Sequence, residues 1–220
     1  MRIPRKSAAL AFAAALSIAG IAAAATEAFV FDKAHSQVGF QIRHFLTKVE
    51  GRFRDYDGHI VIDRQNPANS RVDVTIQAAS IDTGNEKRDA DLKSANFFEV
   101  DKYPTITFKS TKVIPSGKDL YAVTGDLTMH GVTKTLIVPV RHTGFINLGK
   151  MEKAGFELTF PINRKDYGIT WNRTLDAGGA MLGDDVQITV LVEANKEMPK
   201  EMPPAAAPAM PEPTKAPVSR

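Results

Sequence analysis

A chain of 220 residues with no cysteine has neither disulfide staples nor thiolates, so its stability rests on an apolar core and cysteine chemistry is excluded. Its 28 basic and 25 acidic side chains give a formal charge of +3, but Arg2, Arg5 and Lys6 are the only charged residues before Thr26, and residues 26–220 carry 25 of each sign. Nothing in that balance asks for a nucleic-acid or anionic-membrane partner.

The first segment reads as an address. The three cations are followed by an apolar, alanine-rich run from Ala8 to Ile21 and by small residues through Ala25. This order predicts a secretory signal peptide over 1–25, cut before Thr26, and hence export to the periplasm. The run is too short and too weakly apolar for the ~20-residue span of a membrane anchor.

From Phe29 to Ala194 the dominant signal has period two. Val38, Phe40 and Ile42 alternate with polar neighbours, as do Val72, Val74 and Ile76, then Ile106 and Phe108. Phe156, Leu158, Phe160 and Ile162 repeat the pattern, and Val186, Ile188, Val190 and Val192 complete it. Each run predicts a strand with one apolar and one wetted face. Turn residues separate them at Asp57-Gly58, Asn66-Pro67, Ser116-Gly117, His130-Gly131 and Gly178-Gly179. The stretch Asp82–Ser94 breaks the rhythm and predicts a short helix, capped by Thr83 or Asn85, with Leu92 facing inward. About eight strands and one helical insert predict an all-β fold over 26–195: an antiparallel sheet closed into a barrel, with a sandwich as the alternative. Beyond Lys196 the chain turns proline- and alanine-rich without an aromatic residue, which predicts a disordered tail over 196–220.

Covalent chemistry finds little support in the pattern. The five histidines, His35, His44, His59, His130 and His142, show none of the short spacings of a zinc site, so no metal is expected. His35 and Ser36 are neighbours on extended chain and point apart, and the pairs Asp89/Asp91 and Asp184/Asp185 lie in polar segments that read as solvated faces. What remains is the interior. Phe40, Phe53, Ile76, Ile106, Phe108, Leu127 and Phe160 share the inward parity and form either a solid core or the wall of an apolar pocket.

Five motifs in order sharpen that choice. Phe31-Asp32-Lys33-Ala34-His35-Ser36-Gln37-Val38-Gly39-Phe40 is followed by His44, Gly51 and Phe53, then by Arg88-Asp89, Leu92, Ser94 and Phe97-Phe98. Tyr103-Pro104-Thr105-Ile106-Thr107-Phe108 with Ser110 comes next, then Gly125-Asp126-Leu127-Thr128-Met129-His130-Gly131-Val132-Thr133-Lys134. Asn163-Arg164-Lys165-Asp166-Tyr167-Gly168-Ile169 with Trp171 closes the series. Together these resemble the YceI-like family of polyisoprenoid-binding, lipocalin-like periplasmic proteins, from Phe29 to about Asn195, with the proline-rich tail a departure.

The resemblance implies an eight-stranded antiparallel, lipocalin-like barrel with a helix over one end. It further implies a tunnel for an isoprenoid chain, such as a polyprenyl or quinone-type lipid, or for another amphiphile; no cofactor and no catalytic residue are expected. The tunnel wall would comprise Phe40, Ile42, Phe53, Ile76, Ile106, Phe108, Leu127, Phe160 and Trp171, and the polar mouth Arg88, Asp89, Asn163 and Arg164. Those four have a structural alternative: Arg88 and Asp89 tie the helix to the barrel, and Asn163-Arg164 shapes a turn. The function expected is periplasmic carriage of such a lipid, exchanged with a membrane or membrane protein, and a homodimer is compatible with it. Two rivals stand beside it: a hydrolase or isomerase on an amphiphile with His35, His44 or His130 as base, and a ligand-free stress-response protein.

Overall fold

The computed structural model describes residues 26–174 and 178–198; the segment expected to be a signal peptide and the tail beyond 198 lie outside them. Eleven strand segments follow the alternation. They are β1 Glu27–Phe31, β2 Gln37–His44, β3 Thr47–Phe53, β4 Tyr56–Ile62, β5 Arg71–Gln77, β6 Ile81–Asp82, β7 Thr105–Gly117, β8 Leu120–Met129, β9 Val132–Asn147, β10 Glu152–Asn163 and β11 Leu182–Lys196, with one helix, α1, at Glu86–Lys93.

The eleven segments make eight barrel strands, because three of those strands are bent. β1 and β2 lie end to end along β11, with Phe31 opposite Ala194 and Val38 opposite Val190. Their other edges pair with β4 and β3, which form the second bent strand, and β5 with β6 forms the third. The remaining neighbours follow chain order from β5 through β7, β8, β9 and β10 to β11, all antiparallel, so the circuit closes on itself. Closure pairs both edges of the sheet along most of their length, which limits the edge free to recruit another chain.

Local chemistry sets the turns. His130 and Gly131, both with positive φ (51° and 75°), make the two-residue β8–β9 hairpin. Asn85 caps α1 by accepting from the Arg88 N–H at 3.1 Å. Two expected turns are displaced. Asp57-Gly58 lies inside β4, where the Phe31 ring covers Gly58 so closely that a Cβ would overlap it. Ser116-Gly117 ends β7, and the reversal falls on Lys118-Asp119, with Asp119 at φ 57°.

The seam between β9 and β10 is incomplete. Its ladder runs from Glu152 opposite Asn147 to Leu158 opposite Val140 and stops there. Pro139 and Pro161, which have no N–H to donate, stand just beyond that point. The unpaired part lies towards the end that carries α1. Two apolar clusters sit inside. One, at the α1 end, gathers Phe53, Tyr56, Ile81, Phe97, Tyr167 and Ile169 among others, and the smaller one at the far end is built on Phe29, Ala154, Val192 and Ala194.

Candidate functional site

Between the two clusters the barrel is hollow. A cavity of about 760 Å³ runs along it, from His44, Arg88 and Trp171 at the α1 end to Asp63, Arg71 and His142 at the other. Its middle rows are aliphatic and aromatic: Val72, Val74, Phe108, Val123, Leu158 and Val190 contribute from five strand segments, β5, β7, β8, β10 and β11. Phe40, Ile76, Phe108, Leu127 and Phe160 all have inward parity yet are only half-buried, because they face the void and not one another. In a solid core of this size such residues would be fully covered.

Glycines keep the lumen open. A Cβ at Gly51 would overlap the ring of Phe40, and one at Gly125 would overlap the ring of Phe108. Each ring therefore lies flat on a neighbouring strand and leaves the axis free.

All nine residues expected in the tunnel wall, Phe40, Ile42, Phe53, Ile76, Ile106, Phe108, Leu127, Phe160 and Trp171, line this cavity. The four expected at the polar mouth divide. Arg88 reaches the lining while its guanidinium donates to the Thr83 hydroxyl at 2.7 Å and the Thr83 carbonyl at 3.0 Å. Asp89 stands outside the lining and accepts the Thr83 N–H at 2.9 Å, so it fastens the start of α1 to β6. Asn163 also stands outside; its side chain accepts from the Lys165 N–H at 3.0 Å and caps the short turn after β10.

Arg164 lines the cavity but is 3% exposed and committed elsewhere. It donates to the carbonyls of Gly183 (2.9 Å), Ile169 (2.8 Å) and Trp171 (2.8 Å) and to the Asp184 carboxylate (3.2 Å). It is the internal scaffold of the β10–β11 connection, and burial pulls its pKa below the usual guanidinium value while Asp184 pulls it back. Beside it Tyr167 is wholly buried, which pushes its phenol up to about 12.

The far end carries residues that the pattern did not single out. His142 lines the cavity between the rings of Phe145 and Phe156, at 4.4 and 5.2 Å between centroids, and burial holds its imidazole below the usual value. Arg64 lies over Phe145 at 3.8 Å and pairs with Glu27 and Glu152, which Lys196 also joins. No short-range motif links these positions, which come from β1, the β4–β5 loop, β9, β10 and β11.

The candidate bases do not converge on the cavity. His35 is exposed and meets Asp32 at 3.0 Å, while the Ser36 hydroxyl is tied to the backbone of Glu193. His130 places Nδ1 3.0 Å from the Tyr167 carbonyl oxygen, and its Nε2 is buried without a hydrogen-bond partner. His44 alone of the three lines the cavity. Among the described residues one cluster has ligand-like spacing, Asp32, His35 and Glu193, but the Lys153 ammonium already bonds both of its carboxylates. The cation that this cluster holds is a lysine.

Comparison with known proteins agrees with this outline. Residues 29–194 match the YceI-like domain. The chain belongs to the YceI-like family. A UPF0312 protein of Azotobacter vinelandii is 41% identical to it over 169 residues, 74% of this chain and 85% of that one. The crystal structure of Burkholderia cenocepacia BcnA aligns with a TM-score of 0.65 and 27% identity, covering 74% of this chain and 98% of that one. A polyisoprenoid-binding domain from Saccharophagus degradans, implicated in plant cell wall breakdown, aligns at a TM-score of 0.57. It covers 77% of this chain and 98% of that one and, at 15% identity, shares the fold. The closed YceI-like barrel is thus common to chains whose sequences have diverged widely.

Proposed function

We propose that this protein binds one long, apolar lipid of isoprenoid type in the barrel interior and carries it across the periplasm without covalent chemistry. The observation that carries the reading is the void itself, about 760 Å³ walled by inward aliphatic and aromatic side chains. That volume falls within the roughly 300–1,000 Å³ of ligand pockets. A hydrocarbon chain offers no charge to grip, so a continuous apolar wall is what its binding needs. The same fold in a polyisoprenoid-binding domain supports the choice of lipid class.

Phe108→Trp tests it. The added bulk enters the lumen, so bound lipid per protein should fall at least twofold while the melting temperature stays near the wild-type value. A filled interior would instead lose ~1–3 kcal/mol to over-packing. Wild-type protein that takes up no isoprenoid from detergent micelles and is destabilised by the substitution would overturn carriage. Export is tested separately: N-terminal sequencing of periplasmic protein should begin at Thr26 or within a few residues of it.

A further inference from the structure

The β2–β3 hairpin closes in two residues, Phe45 and Leu46, between His44 and its partner Thr47. Such positions favour glycine, asparagine or aspartate, because the first central residue here has positive φ. Phe45 nevertheless sits at φ 50°, a conformation that a bulky side chain rarely adopts. It is 42% exposed, and Leu46 is 94% exposed. Directly below the tip, Arg43 lies opposite Lys48 across the two strands. Like charges facing each other in this way destabilise a sheet. Among the described residues neither makes an ion pair; the Arg43 guanidinium only donates to the Phe45 carbonyl at 3.2 Å. One small corner thus breaks three local rules of stability.

Its position gives these features a common purpose. The Phe45 N–H donates to the Met181 carbonyl at 2.9 Å, and His44 and Met181 both line the cavity, so the tip is tied to the cavity's edge. It also belongs to the end where the β9–β10 ladder is unpaired. An exposed apolar pair set on two facing cations that have no ion-pair partner among the described residues is complementary to an anionic bilayer: the side chains enter the acyl boundary and the cations meet lipid phosphates. The opposite end has an apolar tip too, with Ile146 61%, Leu148 62% and Met151 49% exposed. There, however, Arg64, Lys153 and Lys196 are bound by carboxylates, and the cations without an ion pair among the described residues, Arg71, Lys118, Arg141 and Lys150, do not face one another across the strands.

We infer that the Phe45-Leu46 tip, with Arg43 and Lys48 beneath it, is a docking surface for an anionic lipid bilayer that sets the α1 end of the cavity against the membrane. The inference rests on the carriage reading for its purpose, but its test does not.

Binding is measured by flotation with phosphatidylglycerol-containing vesicles and with neutral phosphatidylcholine vesicles. Wild type should float with the former and lose that binding as salt rises. Phe45→Asn with Leu46→Asn should weaken binding about tenfold or more, and so should Arg43→Gln with Lys48→Gln. Asparagine tolerates the left-handed position, so the first variant should melt no lower than wild type. Leu148→Asn should bind as wild type does. Isoprenoid uptake from detergent micelles should be unchanged in every variant, whereas transfer from anionic vesicles should slow in the two tip variants. Equal vesicle binding by wild type and tip variants, or loss of binding on Leu148→Asn alone, would overturn the docking surface and leave carriage standing. Absence of isoprenoid uptake by wild type from micelles would overturn carriage, and vesicle binding would still decide the docking surface.

Discussion

At the end of the barrel opposite α1, Arg64 and Lys196 share Glu27 and Glu152, Arg64 lies over Phe145, and the chain's first and last strands are tied together. At the α1 end the fastening is of another kind: a buried arginine holds backbone carbonyls, a capped helix adds residues to the cavity lining, and one seam is unpaired. The far end joins distant segments by charge, whereas the α1 end organises its own loops chiefly through three backbone carbonyls on Arg164, with Asp184 the one carboxylate that joins them. On the proposed carriage, this contrast assigns the far end as the fixed base and the α1 end as the mouth. A carrier needs one end that stays shut and one that can open without unfolding the sheet.

The largest effect should come from removing the scaffold of the mouth. Arg164→Met leaves the carbonyls of Ile169, Trp171 and Gly183 without their donor. The expected loss is about 3 kcal/mol, or roughly 6–12 °C in Tm, read by calorimetry. If the variant melts as wild type, the connection is held by its apolar residues alone.

Acid should probe the base next. Hydrogen bonds from Lys196 and then Arg64 hold Glu152 below the ordinary glutamate value, and the Asn66 N–H leads those that hold Asp63 below the ordinary aspartate value. A carboxylate whose folded pKa is depressed adds stability above its unfolded pKa, and that share is lost as pH falls through the folded value. Half-buried His142, whose folded pKa is also depressed, costs stability as pH falls through the unfolded histidine value, so Tm should begin to decline below about pH 6.5 and fall by several further degrees below about pH 4. Arg64→Ala should flatten that fall, because Glu152 then starts closer to its ordinary value.

At neutral pH Arg64→Ala should cost about 1 kcal/mol, since its pairs are partly exposed and screened. High salt should shrink the difference from wild type. Loading from micelles should stay within twofold of wild type if the base is not the entry. Smallest is Asn85→Ala, which removes the cap of α1 for about 1 kcal/mol or less. Its signature would be faster amide exchange confined to Glu86–Lys93, with β1 and β11 unaffected.

Much of this architecture can be read along the chain. The parity that places Phe40, Phe108, Leu127 and Phe160 on one face is a local property, because successive strand residues must point to opposite sides. The cap of α1 and the His130-Gly131 hairpin are local too, each set within a few residues. The residues that line the base were not legible: Arg64, in the β4–β5 loop, reaches Phe145 and His142 of β9 only when the sheet curls into a barrel. Nor was the difference between Arg164 and its neighbour Asn163. One side chain is drawn inward to carbonyls up to 19 residues away, and the other is used to cap the turn it starts.

By itself, then, the sequence determined which faces are apolar, where most turns fall, that one helix interrupts the strands, and which family motifs the chain carries. Tertiary structure decided that three strands bend, that eight close a ring, and that the ring stays hollow. The reason is geometric. Alternation fixes the side to which a residue points but not the distance to the opposite wall, which strand number, tilt and stagger set together. Phe108 is identical in pattern to a core residue; only the far wall's distance, and a glycine that lets its ring lie flat, make it the lining of a cavity.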